Sequence, residues 1–286
     1  PQIAQNINAY LLNAPNVIID DRHDPIADVP KMAVGSFPTD GGNLVIKEDE
    51  YEQFIKSEPD AKPYIKEYIG PLEFINRKKR YCLWLKKCPP NILRRMPLVM
   101  SRIERVRQYR LESKKAQTRK RADIPHLFAE DRQPDSDYIL IPRTSSARRK
   151  YMPIGFYTAN VIAGDTIILP QATVYHFGVL TSNVHMAWMR AVCGRLKSDY
   201  RYSNTIVYNN FPWPSPTEPQ RAAIEKTAQA ILDARALYPD ASLADLYDEL
   251  TMPPELRKAH QQNDRAVMAA YGFDVKTTTE SRCVAE

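Results

Sequence analysis

Glycine is scarce in this chain, at 9 of 286 residues, while proline is frequent at 23. That balance excludes a Gly-rich nucleotide-binding fold and favours many rigid turns. No apolar run approaches the roughly 20 residues that a membrane helix needs. Pro1–Tyr10 is polar and carries no secretory signal. The four cysteines, Cys82, Cys88, Cys193 and Cys283, form no CxxC pair and sit in unlike contexts. They read as free thiols of a reducing, cytoplasmic compartment, not as a disulfide framework or a zinc site. Also missing are GxSxG, HExxH and Walker sequences, and with them the commonest nucleophile, metalloprotease and phosphate-loop chemistries. Pro, not Met, stands first, which fits a piece cut from a longer polypeptide.

What is present is ordinary in bulk and unusual in arrangement. With 43% apolar and 26% charged residues the chain can build a core, and its length suits one large domain or two of ordinary size. The net charge of +6 hides strong segregation. Residues 1–76 carry 6 basic and 13 acidic side chains, residues 77–150 carry 22 and 7, and residues 151–286 carry 12 and 14. Lys and Arg on a solvated helix face are the ordinary explanation of a basic run. An excess of +15 within 74 residues points instead to a polyanion, nucleic acid above all.

Short strands are expected in Asn6–Leu12 and from Asn16, and a tight turn at Asp40-Gly41-Gly42-Asn43 before Leu44–Ile46. Residues 48–69 read as helical, interrupted by Pro59 and Pro63, with acids at the start. Arg77, Lys78, Lys79 and Arg80 form a basic turn feeding the strand Tyr81–Leu85. Residues 91–121 read as a long helix with an apolar stripe of Ile92, Met96, Val99, Ile103, Val106 and Leu111. Its other faces are basic, so it is expected to lie along a phosphate backbone. The phosphate candidates are Arg77, Lys78, Lys79, Arg80, Arg107, Arg110, Lys114, Lys115, Arg119, Lys120 and Lys150.

The stretch Tyr138–Pro214 organises the rest. Strands are expected near 138–141, 161–163, 166–169, 175–180 and 205–208. A helix capped by Ser182 or Asn183 runs to Cys193, with Gly194 as its C-cap. The loop after Ile141 holds Arg143, Thr144, Ser145, Arg148 and Arg149. Arg can fork onto guanine, and Ser or Thr can meet a base or a phosphate, so these are the first base-reading candidates. Tyr175 could stack on a base and His176 could touch one, although a packed core position explains either equally well. The PSPTEP run from Pro214 is a linker to helices over 219–238, in LADLYDEL and after Pro253-Pro254.

The segments DVPKMAVGSFPTDGGNL, RKKRYCLWL, IPRTSSARRKYMP, FGVLTSNVHMAWMRAVCGRLKSDYRYSNTIVYNNFPWP and LYDELTMPPELRKAHQQNDRAVMAAYGF resemble the C-terminal part of MmeI-type single-chain restriction–modification enzymes and related bacterial adenine-specific DNA methyltransferases. The resemblance implies an α+β fold: a mixed-sheet target-recognition domain with a long basic helix over 1–215, then a C-terminal helical segment over 216–273, with 274–286 a disordered tail. It also implies double-stranded DNA as partner, and an upstream methyltransferase domain of the same polypeptide that uses S-adenosylmethionine to methylate a flipped-out adenine at N6. That family's catalytic Asn-Pro-Pro-aromatic motif is missing, since the only Pro-Pro pairs are Pro89-Pro90 and Pro253-Pro254. The chain is therefore expected to recognise without catalysing and to hold no cofactor. By the same resemblance, base-reading side chains are expected in the 143–149 loop and around Gln171, Thr173, Tyr175 and His176, with Ser182–Pro214 as scaffold. Two alternatives stay open: a protein-interaction module whose basic helix binds an acidic partner, and an enzyme with an unrecognised site.

Overall fold

The computed structural model describes residues 6–9, 11, 13, 16 and 18–285. The strands expected in Asn6–Leu12 and from Asn16 lie partly outside them. In chain order the strands are β1 (Ala33–Val34), β2 (Val45–Lys47), β3 (Ile65–Ile69), β4 (Arg80–Leu83), β5 (Tyr138–Pro142), β6 (Thr144–Ser145), β7 (Gly155–Tyr157), β8 (Ile162–Ala163), β9 (Thr166–Pro170), β10 (Gly194–Leu196) and β11 (Asp199–Arg201). The helices are α1 (Glu48–Ser57), α2 (Pro71–Asn76), α3 (Pro90–Leu93), α4 (Pro97–Leu111), α5 (Ala116–Lys120), α6 (Val174–Leu180), α7 (Asn183–Val192), α8 (Glu218–Ala236), α9 (Leu243–Leu246), α10 (Pro254–Ala270) and α11 (Glu280–Ala285). The α+β class, the mixed sheet, the basic helix and the helical C-terminal part are all present.

Two compact units share the chain. One, the larger unit, holds residues 1–33, 138–156 and 169–286; the other, the basic unit, holds 34–137 and 157–168.

In the basic unit a mixed sheet runs β2-β4-β3-β8, antiparallel except for the parallel pair β3–β8. Asp40 builds the expected turn before it. Its carboxylate accepts the main-chain N–H of Gly42 (3.1 Å) and Leu44 (2.5 Å), while Gly41 and Gly42 take φ of 61° and 83°. Leu44, Ile46, Cys82 and Leu83 are fully buried together with Met96, Val99 and Val106 at the start and on the inner face of α4. Residues 65–69 are a strand, not the expected helix. Pro63 sits inside a short 3-10 turn (Pro59–Tyr64), after which Ile65–Glu67 pair with β4. The long helix expected over 91–121 is three pieces, α3, α4 and α5, because Pro97 starts a new helix and a turn at 112–115 ends it.

In the larger unit, α8 and α10 pack side by side and α6 packs closely on α8. Gly178 of α6 permits the close approach: a Cβ there would lie 2.8 Å from Ile224 Cγ2 and 2.9 Å from Ala228 Cβ. The fully buried Asn263 bridges all three helices, donating to the Gly178 carbonyl (2.8 Å) and accepting from the Thr227 hydroxyl (3.2 Å). Ser182 caps α7 as expected, accepting the His185 N–H. Two expected strands are helical: 174–180 is α6, begun by a Thr173–His176 capping box, and Asn204–Tyr208 is a π-helical turn capped by Ser203. Beside that turn runs a strap of residues 20–30. Asn210 donates to the Asp20 carbonyl, Asn209 to that of Arg22, and Tyr208 to that of Pro30, while the Arg22 guanidinium returns a bond to Asn210. Within 274–286, expected as disordered, α11 packs on α7 and Glu280 pairs with Arg190 at 2.7 Å.

Candidate nucleic-acid interface

Apart from Lys150, which lies in the same unit as the base-reading candidates, the two groups of expected DNA contacts fall in different units, each with its own chemistry. In the basic unit, α4 is less available than its composition suggests. Arg110 is fully buried, and its five hydrogen bonds all end on main-chain carbonyls, those of Pro38, Thr39, Arg121, Ile124 and Leu127 (2.7–3.1 Å). It is a structural clamp with no donor left for a phosphate. Arg102 likewise holds the carbonyls of Asn43 and Val45 and pairs with Glu50, and Arg105 donates to the Asn43 side chain (2.7 Å). Arg107 pairs with Glu104 along the helix. Glu58, buried beside the start of α4, accepts the Leu98 N–H (2.6 Å) and so caps a helix whose own N-cap, Met96, has no side-chain acceptor.

Part of the charge segregation is thus internal pairing. Arg80 meets Glu73, Arg95 meets Asp60 and Arg102 meets Glu50, each joining the basic stretch to the acidic one before it. Arg80 also lies over the Tyr68 ring, 4.6 Å from its centroid, which removes it from the exposed turn. What remains for a polyanion is Arg77, Lys78 and Lys79 in the turn after α2, and Lys114, Lys115 and Lys120 beyond α4. All six are exposed, and none of their side-chain cations pairs with a carboxylate among the described residues, although the Lys79 main-chain N–H donates to Glu48 (3.4 Å). Arg119 is exposed as well, though its guanidinium folds back on the carbonyls of Ser113 and Lys114.

In the larger unit, the 143–149 loop is organised by a small antiparallel sheet, β10-β11-β6. Tyr200 lies opposite Ser145 and Arg201 opposite Thr144. Ser145 and Tyr200 are buried, so their side-chain face is turned inward and Thr144 lies on the other. The loop is pinned by Asp199, which accepts the Ala147 N–H (3.3 Å), and by the Arg143 carbonyl, which accepts from Tyr202 N–H (2.8 Å). Arg148 is exposed. Arg149 is half-buried; desolvation lowers its pKa, opposed by the carboxylates of Asp248 and Asp199. Lys150 is exposed over the ring of Tyr151.

The second expected reading neighbourhood surrounds the start of α6. Gln171 is exposed with a left-handed φ of 57°, and Thr173 is exposed at the N-cap. Tyr175 faces the core beneath Arg221, 4.4 Å from the ring centroid, so stacking on a base is not its role. The imidazole of His176 accepts the Thr173 N–H at Nδ1 (3.1 Å), and burial lowers its pKa to about 4 with Arg221 adding to the shift. The ring is neutral at pH 7, and with Nδ1 accepting, its proton sits on Nε2 as a donor. Arg195, Lys197 and Arg201 of the β10–β11 hairpin went unnoticed in the sequence. Their only signal there is KSDYR between two strand-like pieces, too short to show register. Among the described residues, no group of three or more His, Cys, Asp or Glu could hold a metal ion.

Comparison with known proteins gives a consistent picture. Residues 13–215 match the target recognition domain of MmeI and residues 217–286 its C-terminal domain. DNA methyltransferase A of Bacillus subtilis (strain 168) is 38% identical over 271 residues, a match spanning 94% of this chain and 31% of that protein. Among solved structures, the Type IIL restriction–modification enzyme MmeI in complex with DNA superposes with a TM-score of 0.95 and 48% identity, over 99% of this chain and 38% of that one. The chain therefore spans about a third of the length of these relatives.

Proposed function

The chain belongs to the MmeI family, as its target recognition domain followed by its C-terminal domain, and on that footing we propose that it selects the DNA sequence at which a methyltransferase domain on the same polypeptide modifies adenine. The observation that carries this reading is the near-complete superposition on an enzyme solved with DNA bound, at 48% identity. The chemistry of the exposed and half-buried side chains supports a division of labour. Arg77, Lys78, Lys79, Lys114, Lys115 and Lys120 neutralise phosphates without regard to sequence. Thr144, Arg148, Gln171, Thr173 and His176 supply fork donors, hydroxyls, an amide and an imidazole N–H, the groups that distinguish base edges. The chain selects and grips in the cytoplasm, while S-adenosylmethionine and the methyl transfer belong to the upstream domain.

A salt titration of duplex binding tests the reading. The logarithm of the affinity should fall linearly with the logarithm of salt concentration, with a slope of about 0.9 per neutralised phosphate. Absence of binding to any duplex at low salt, by the chain alone and within the intact enzyme, would overturn it. Methyl transfer from S-adenosylmethionine by this chain alone would overturn its non-catalytic part.

A further inference from the structure

We propose that the β10–β11 hairpin, Gly194–Arg201, is a phosphate-gripping ribbon for duplex DNA, set directly beside the 143–149 loop; the inference rests on the DNA reading above. Register is the first observation. The hairpin is the outer pair of a three-stranded sheet whose third strand is Thr144–Ser145, and Arg201 stands opposite Thr144. Because side chains alternate across a strand and Ser145 and Tyr200 face inward, Arg201 shares the outward face with Thr144.

Charge is the second. Arg195, Lys197 and Arg201 are all exposed, and neither Lys197 nor Arg201 meets a carboxylate among the described residues. The one acid of the hairpin, Asp199, is occupied in holding the Ala147 N–H, so it ties the loop to the ribbon. Arg195 is held in place: its guanidinium lies over the Tyr200 ring at 3.9 Å and donates to the Ser198 carbonyl at 3.2 Å.

The tip is the third and independent observation. Leu196 pairs with Asp199, leaving a two-residue turn in which Lys197 takes a φ of 56°. That left-handed conformation suits Gly or Asn and is disfavoured for a residue carrying a longer side chain. A strained position occupied by lysine is explained if its ammonium has a task there. Cations on the inward edge, the outward face and the tip of one ribbon suit a backbone carrying charge at every step better than the one-sided edge of a base.

Lys197→Gly and Arg201→Gln, singly and together, test the proposal. Lys197→Gly relieves the turn, so its melting temperature should equal or exceed that of the parent chain, which separates loss of contact from loss of fold. The double variant should bind every duplex about tenfold more weakly, by the same factor for preferred and unrelated sequences, and its salt slope should be smaller by about 2. Arg201→Lys should restore most of the binding. If the parent chain binds DNA and the double variant matches it in affinity and slope, the ribbon makes no contact and only this proposal falls. A changed sequence preference would overturn the phosphate role. If neither the parent chain nor the intact enzyme carrying it binds any duplex at low salt, the DNA reading falls and takes the ribbon with it.

Discussion

Arg110 shows how far an arginine's meaning depends on where its fork ends. All five of its hydrogen bonds close on main-chain carbonyls. Arg110→Ala would leave those carbonyls unpaired in a buried site and is expected to destabilise the chain by about 3–5 kcal/mol in denaturant unfolding. Lysine, with three donors on a point charge, should not rescue it. Lys114→Ala, exposed and unpaired, should leave stability within about 0.5 kcal/mol and weaken all duplexes alike. The histidines make a second residue-scale prediction. Fully buried His185 shares a 3.0 Å hydrogen bond with the Tyr202 hydroxyl, and burial lowers its pKa to about 3. His260 is lowered as well, by burial first and by Arg235 and Lys150. Each stays neutral in the folded chain but takes a proton near pH 6.5 once unfolded. Their stabilisation is therefore complete above pH 6.5 and is lost as pH falls toward the folded-state values. Asp264, which burial raises to about 6, works the other way: the folded chain takes up its proton first, so acidification from 6 toward 3.8 favours folding through this group. Unfolding free energy measured from pH 6.5 to 4.5 should still fall, by about 1.4 kcal/mol per unit for His185 alone. His185→Gln should flatten the profile by that amount, and an unchanged slope would show that the imidazole is already charged in the fold.

Among elements, the close packing of α6 on α8 is the tightest constraint on the second reading neighbourhood, since α6 begins at the Thr173 cap. Gly178→Ala improves intrinsic helix propensity by about 1 kcal/mol, yet its methyl would meet Ile224 and Ala228 below 3 Å. Overpacking should win, with a net loss of about 1–2 kcal/mol by thermal melting. A gain in stability would mean that α6 can lift freely from α8. The same element shows where sequence patterns stop being legible. TVYHFGVL is rich in β-branched and aromatic residues and reads as a strand; only the Thr173–His176 capping box, a three-residue signal, turns it into a helix. In 65–69 the error reverses, because Tyr64, Ile65, Tyr68 and Ile69 keep a helical spacing that pairing with β4 overrides. The capped helix after Ser182, the Pro-started helix after Pro253 and the Asp40 turn were legible, because in each the decisive side chain lies within four residues of what it organises.

For the molecule as a whole, net charge by segment misled in one respect. The unit holding residues 34–137 and 157–168 carries 22 basic and 17 acidic side chains, so the acids of its first third offset much of the +15 that follows. Cross-segment pairs such as Arg102–Glu50 and Arg95–Asp60 are invisible in a linear count. For the candidate site the same limit holds: the cations and hydroxyls of the 143–149 loop are adjacent in sequence and can be listed from it, whereas the pairing of that loop's strand with a hairpin some 55 residues later cannot. The division of labour yields the prediction at this scale. In the full-length enzyme, Arg148→Ala should change which sequence is modified, while Lys114→Ala with Lys115→Ala should slow modification of every sequence equally. Identical behaviour of the two variants would abolish the distinction between readers and grips. The strap of residues 20–30 is latched at three points by consecutive side chains, Tyr208, Asn209 and Asn210, so any force drawing it off the π-helical turn is met by all three hydrogen bonds together.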